Sequence, residues 1–394
     1  MKSSRGRRAS DYEVDQIYVL DYSDVARLLH DILYVKRPDI LHVFWRPAFL
    51  DLTDPVVVDR CARLAGQSRA QVLAALSAMA VTASVYDHNG LDPKSIELQR
   101  PAFELFDAYT TSSPLLDRIY REIPGLAPPI AMIPDGINLE FYKPASLERL
   151  AETGRPYRIG WVGNSQWGLL EGEIDMKGVH AIISPALALL NANGIAAVEA
   201  FVDRSKRWVP RQQVARHLNT LDVYVCASRH EGTPNPVLEA MAAGVPVIST
   251  DVGIVRHVLG EEQRQFIIER SPEVLAAALG RLLGTPGLRQ QLSGENLRAI
   301  QLHAWSTRYQ LWAQLFAYAS ARNDPANRQR HHALLEAMMA RPRSSFKQRI
   351  RSYLRRSPAL YSAAARLYHV TMAMRGTVVT PVHLVTRRWR RPRD

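Results

Sequence analysis

Two cysteines in 394 residues, Cys61 and Cys226, are too few and too far apart for a disulfide framework, and they match no metal-ligand spacing. A reducing, cytoplasmic setting fits such a chain. No uninterrupted run reaches the ~18 apolar residues that spanning a bilayer requires, and no apolar stretch follows the basic start Met1 to Arg8. Neither a membrane span nor a secretory signal is expected. Acids are nearly missing from the end of the chain: from Arg341 onward, 14 Lys and Arg face the single Asp394, so the net charge of +12 lies entirely there. A uniformly basic nucleic-acid binder would carry its field on the folded body instead. What is present is ordinary, because 47% hydrophobic and 22% charged residues place the chain among globular proteins. Its length suggests two to three domains.

The order of apolar segments indicates an α/β fold. Strand-like Gln16 to Leu20, a helical Ser23 to Lys36 with a Ser or Asp cap, and strand-like Ile40 to Trp45 make a βαβ unit. Helical Gln67 to Ala78, strand-like Val81 to Tyr86 and Ala108 to Thr111, and helical Leu115 to Glu122 continue it. In the later half, Arg158 to Val162, Ala197 to Val202, Val223 to Ala227 and Val245 to Ser249 are continuous apolar runs. Strands buried on both faces of a parallel sheet read this way. Lys143 to Pro156, with two prolines, a glycine and several charges, is the best interdomain linker. The chain thus divides into a first domain at 1–145, a linker at 146–156, a second domain at 157–300, a helix at 301–322 and a basic tail at 323–394.

Two such domains face a cleft, and ligands of open α/β sheets sit outside the carboxyl ends of the strands. Ser228-Arg-His-Glu231-Gly-Thr-Pro-Asn-Pro236 follows one apolar run and precedes the helical Val237 to Ala243. Asn235 suits the N-cap and Pro236 the first helical position, so the free amides of that helix would face the cleft and favour an anion such as phosphate. Glu231 on the loop and Glu239 in the opening turn are placed to reach one ligand. The plain alternative for Glu239 is an acid set near a helix N-terminus for its dipole.

The run Glu231-Gly-Thr-Pro-Asn-Pro-Val-Leu-Glu239-Ala-Met-Ala-Ala-Gly244-Val-Pro-Val-Ile-Ser249, with Thr250-Asp-Val-Gly253 beyond it, resembles the signature of retaining GT-B glycosyltransferases of the family-4 type, the glycosyl transferases group 1. The resemblance covers roughly 15–320 and is strongest over 157–260. It implies a GT-B fold of two Rossmann-like, doubly wound domains and transfer from a nucleotide-diphosphate sugar with retention. Glu239 would hold the ribose hydroxyls, and Glu231 would lie against the donor sugar with the amides of Gly232 and Thr233. Asn235 belongs to the same donor set. Gly160-Trp-Val-Gly163 stands where the family turns under the diphosphate, and Asp175-Met-Lys177-Gly178 resembles its Lys-Gly element, so Lys177 would meet phosphate oxygens. Asn164 and Ser165 occupy the place of the family's arginine. Arg204 or Lys206 would supply the missing charge, or else form a solvated loop face. Pro234 replaces a residue that is often glycine, removing one amide donor.

In the first domain, Asp87 or His88 corresponds to the family's residue facing the sugar across the cleft; a surface turn is the plain alternative for both. Asp107 and Thr110 to Ser113 resemble the strand region before Ile133-Pro-Asp135-Gly-Ile-Asn138, which resembles the family's segment into the hinge, completed by Phe141 and Pro144. Trp305 to Tyr318 resembles the helix that crosses back to brace the first domain. Beside the family's usual opening strand and glycine-rich loop, that domain reads as shortened, starting one βα unit later, which leaves a misassigned start, a remodelled acceptor side and a degenerate homologue as alternatives. No metal-ligand set is evident, and no cofactor is expected beyond the donor itself.

From Phe346 to Tyr368, Ile350, Tyr353, Leu354, Leu360, Tyr361, Leu367 and Tyr368 alternate with Arg349, Arg351, Arg355, Arg356 and Arg366. Helical spacing gathers them into a basic amphipathic segment suited to an anionic membrane surface, and Arg387, Arg388, Trp389, Arg390 and Arg391 extend it. A disordered solubilising or nucleic-acid-binding tail is the competing reading. The expected acceptor is a hydroxyl on a cell-surface glycan or lipid-linked precursor, reached at the inner membrane face, with no nucleic acid as partner. A non-catalytic sugar-nucleotide-binding or partner-binding homologue is the alternative.

Overall fold

The computed structural model describes residues 13–17, 24–44, 46–86, 88, 90–167, 174–340 and 384–388. Its strands are β1 (Glu13–Ile17), β2 (Ile40–Val43), β3 (Ala80–Val85), β4 (Ala108–Thr111), β5 (Ala131–Met132), β6 (Tyr157–Gly163), β7 (Ala197–Asp203), β8 (Val223–Cys226), β9 (Val247–Thr250), β10 (Ile267–Ile268) and β11 (Leu384–Arg388). They form two sheets, ordered β1-β11-β2-β3-β4-β5 and β10-β9-β8-β6-β7. The α/β reading holds: β2 to β5 pair in parallel, as does the whole second sheet.

Alternation decides what each face of the first sheet touches. Leu41, Val43, Val81, Ala83, Val85 and Tyr109 join a core with Leu28 and Leu29 of the helix Val25–His30, Val58 and Cys61 of Pro55–Ala65, and Leu73 of Arg69–Ser77. The opposite registers, Ile40, Ala80 and Ala108, pack on Trp312, Leu315 and Phe316 of the long helix Trp305–Arg322. Between them runs a buried polar ladder, His42 to Thr82 at 2.9 Å and Ser84 to Thr110 at 2.9 Å. Such groups persist in a core when they satisfy one another. Helix starts follow local chemistry, since Asp24 accepts from the Ala26 amide and Ser68 with Gln71 closes a capping box. Such caps contribute roughly 1 kcal/mol each.

In chain order the second sheet runs 2-1-3-4-5, a doubly wound arrangement whose strand order reverses between β6 and β8. One face carries Val214 and Leu218 of the helix Arg211–Leu218 with Val237 and Met241 of Asn235–Ala242. The other carries Leu187 of Ser184–Ala192 with Leu275 and Leu279 of Pro272–Gly284. The segment 146–156 is stitched to this domain: Arg155 makes a two-pronged contact with buried Asp222 at 2.8 and 2.9 Å, and Arg149 donates to the Leu221 carbonyl.

The basic-tail expectation is corrected in part. Residues 325–340 form a helix of the folded body, with His331 and Leu335 buried against the first domain. Residues 384–388, inside the basic tail, form β11, antiparallel to both β1 and β2. The amphipathic stretch Phe346 to Tyr368 and Trp389, Arg390 and Arg391 lie outside the described residues. The helices Arg46–Leu52 and Pro55–Ala65 had no counterpart in the sequence reading. Among the described residues no helix is long and apolar enough to cross a membrane, and both cysteines are buried and free.

Candidate functional site

Expected site residues gather above the carboxyl ends of β6 and β8, where the strand order reverses. Buried Tyr224 marks the place. Its hydroxyl reaches the Val162 carbonyl at 3.4 Å, and burial, followed by Cys226 and more weakly Glu231 and Glu239, holds it well above the ordinary tyrosine range.

Lys177 reaches Glu231 across 54 positions of sequence, Nζ to Oε1 at 2.5 Å, with both side chains less than one-fifth exposed. Ser228 Oγ donates to the same oxygen at 2.7 Å. Gly178 makes this possible. Its φ is +72°, and a Cβ there would stand 2.4 Å from the Ala227 carbonyl oxygen, so only glycine lets the turn 174–178 fold onto the end of β8. Asp175, itself at φ +47°, accepts from the amides of Val179, His180 and Ala181 at 3.0, 3.0 and 2.6 Å. The amides at the start of the helical turn Val179–Ile183 are thus filled by the protein's own carboxylate. Arg270 clamps the turn by donating to the carbonyls of Ala227 and Asp175.

Glu239 is buried, and burial pushes its carboxyl above the ordinary range; the Tyr142 hydroxyl and the charges of Arg204 and Arg211 oppose that push. Tyr142 is pushed up to about 12 by its own burial and by Glu239. Its hydroxyl makes no hydrogen bond of normal geometry. Arg204 sits beside Gly163, donating its amide to the Gly163 carbonyl at 2.8 Å, while Lys206 lies 4.0 Å from Asp203.

The helix start differs from expectation. It begins at Asn235 with Pro234 in the cap position, and Glu239 is its fifth residue. Asn235 is no N-cap. Its backbone amide donates to Thr233 and that of Val237 to Pro234, while Pro236 has no N–H. Two prolines around one cap leave this helix few amides for an anion. The amides of Gly232 and Thr233, one step earlier, have no partner among the described residues.

At the end of β6, a Cβ on Gly163 would stand 2.6 Å from the Trp161 ring, so packing alone requires glycine there. Asn164 closes a local turn, its side-chain oxygen accepting from the Gln166 amide at 3.0 Å, and Ser165 is held by Asp203. Neither replaces an arginine.

From the first domain, His88 faces His230 with ring centroids 5.1 Å apart. Asp87 lies outside the described residues. Asp135 meets the second domain directly. Its carboxylate accepts from Tyr86 Oη at 2.7 Å and from Asn235 Nδ2 at 3.0 Å, and its amide donates to Thr233 Oγ1 at 3.2 Å. Burial pushes the Asp135 carboxyl up, against the pull of those two donors. Sequence reading placed Asp135 in a hinge segment without a partner, and missed Ser228, Tyr142 and Arg270. Only Ser228, three residues before Glu231, had a local signal. Among the described residues no group of three or more His, Cys, Asp or Glu is placed to hold a metal ion.

The cluster offers a shielded cation, two amides without a partner among the described residues, and two carboxylates at the carboxyl end of one sheet. Such a set can bind the hydroxyls and anionic groups of a phosphorylated ligand and stabilise charge developing on a departing phosphate.

Comparison with known proteins agrees in kind. Residues 192–285 match the sequence model of the family described as glycosyl transferases group 1. A segment of 73 residues is 44% identical to a Bacillus subtilis (strain 168) protein carrying the name of a teichuronic acid biosynthesis glycosyltransferase, TuaC, covering 18% of this chain and 19% of that one. Over 236 residues the chain is 23% identical to the MMP alpha-(1->4)-mannosyltransferase of Mycolicibacterium hassiacum, covering 54% of each. The chain therefore spans about half or less of these relatives. The crystal structure of Anabaena Alr3699/HepE in complex with UDP and glucose superposes with a TM-score of 0.52 at 12% identity, over 74% of this chain and 81% of that one. The fold is that of GT-B glycosyltransferases.

Proposed function

We propose that this protein transfers a sugar from a nucleotide-diphosphate sugar to an acceptor hydroxyl, with retention of configuration. The observation that carries the reading is the Lys177–Glu231 pair, next in sequence to the amides of Gly232 and Thr233, which have no partner among the described residues, at the point where the strand order reverses. In this reading Glu239 takes the ribose hydroxyls, and Lys177 and the two amides meet the diphosphate. As the glycosidic bond breaks, negative charge grows on the leaving phosphate, which those donors stabilise without reorganising. Glu231, held by Lys177 and Ser228, is poised against the donor sugar, with His88 facing the adjacent His230 from the first domain. Same-face attack assisted by the departing phosphate needs no carboxylate nucleophile. The HepE complex with UDP and glucose supports a donor of this class.

The acceptor in this proposal is a cell-surface glycan or lipid-linked precursor. The protein works on the cytoplasmic side, drawn to an anionic membrane by the 14 basic residues from Arg341 onward. Thermal-shift screening against a panel of sugar nucleotides tests the donor, since a ligand of the native state raises its stability. The expected result is a rise with one nucleotide family; no rise with any member refutes the reading. Asn164 and Ser165, bound into their own turn, favour a second reading as a non-catalytic sugar-nucleotide binder. Transfer that Glu231→Ala abolishes while nucleotide binding survives decides against it.

A further inference from the structure

The loop 231–236 does not hang in an open cleft; it is docked on the first domain. A Cβ on Gly232 would stand 2.3 Å from both the Tyr86 carbonyl oxygen and Ser112 Oγ, and Gly253 backs it from behind, where a Cβ would stand 2.1 Å from the Gly232 carbonyl oxygen. Thr233 Oγ1 donates to the Ser112 carbonyl at 3.4 Å and accepts from the Asp135 amide at 3.2 Å. The Asp135 carboxylate then gathers Tyr86 Oη from the first domain and Asn235 Nδ2 from the start of the second-domain helix. Ser112, Tyr86 and Asp135 follow β4, β3 and β5, so the carboxyl ends of three neighbouring first-domain strands contact one six-residue loop.

We propose that Asp135 is a positioning residue that latches the donor loop to the first domain, fixing Asn235 and Thr233 and holding the two domains closed around the site. The inference rests on the preceding reading only in naming the ligand of that loop. A carboxylate suits the task because it accepts from both domains at once, one oxygen per donor. An apolar residue would break both contacts at once. The latch also accounts for Asn235 standing at a helix start without capping it: its side chain faces across the cleft instead of back to its own amides.

Swapping the partners provides the test. Asn235→Asp sets two carboxylates face to face, and Asp135→Ala removes the acceptor. Each should open the domains, seen as a larger radius of gyration in small-angle scattering of the full chain. Each should also weaken UDP or GDP binding in calorimetry, on the order of fivefold. Asp135→Asn alone should stay near wild type, because Asn235 can turn its amide round to accept. The double variant Asp135→Asn/Asn235→Asp restores a donor facing an acceptor and should return both readouts to wild type, a rescue that general damage to the fold does not predict. Tyr86→Phe, the mildest change, should shift both readouts slightly in the opening direction. A double variant no better than Asn235→Asp, or scattering unchanged in both Asn235→Asp and Asp135→Ala, overturns the latch. Wild-type protein that binds neither UDP nor GDP would count against the proposed function, while the scattering series would still decide the latch.

Discussion

Asp107 and His331 should cancel each other's effect on stability, and removing either should expose a pH dependence of opposite sign. Asp107 is buried at the start of β4, where its carboxylate accepts from the Val81 amide at 2.7 Å and from Asn327 of the helix 325–340. Burial pushes it up to about 6. His331, on the same helix and 3.9 Å from Asp107, is pushed down to about 4 by its own burial and by Arg330 and Arg322. Between pH 4 and 6 the folded protein keeps a proton on Asp107 that the unfolded chain releases, so stability falls as pH rises. Over that range the unfolded chain binds a proton at His331 that the folded protein refuses, so stability rises. Moving a carboxyl from 3.8 to about 6, or an imidazole from 6.5 to about 4, is worth about 3 kcal/mol in each case. Urea unfolding from pH 4 to pH 7, each variant taken relative to wild type, checks this. His331→Gln should lose about 3 kcal/mol of relative stability over the interval and Asp107→Asn should gain about 3 kcal/mol. Two variant profiles parallel to wild type would refute the reasoning.

Three further outcomes concern the cleft. Lys177→Met should lower kcat by about 10²-fold to 10³-fold with a smaller change in KM, since the cation acts mainly on charge that develops during transfer; steady-state kinetics with the donor found by thermal shift checks it. Glu239→Gln should weaken nucleoside diphosphate binding by on the order of tenfold through loss of a charged acceptor, and unchanged affinity in calorimetry would remove Glu239 from the ribose contact. Gly232→Ala has no room for its methyl group against Tyr86 and Ser112. It should prop the domains apart, raising the radius of gyration and reducing transfer more than nucleotide binding.

Much of this architecture is written locally. Runs such as Val223 to Ala227 are apolar because both faces of a parallel strand are covered, and the strand formed is Val223–Cys226. Ala108 to Thr111 is a strand at the expected residues, and the cap expected at Ser23 or Asp24 is Asp24. Propensity, periodicity and capping act within a few residues, so one sequence displays them. The motif from Glu231 to Ser249 was legible for the same reason: its chemistry lies within one strand, loop and helix.

Contacts between distant segments left no such mark. Lys177 meets Glu231 across 54 residues and Asp135 meets Asn235 across 100, and no spacing rule connects them. Pro234 rather than Asn235 takes the cap position, and the Asn235 side chain reaches Asp135 of the first domain instead. β11 pairs with β1 and β2 from the far end of the chain, a pairing that no local pattern announces. Local sequence sets what each segment can become; which carboxylate meets which donor is decided by the crossing of chains that pack a common core, because burial makes an unpartnered polar group costly wherever the fold places it.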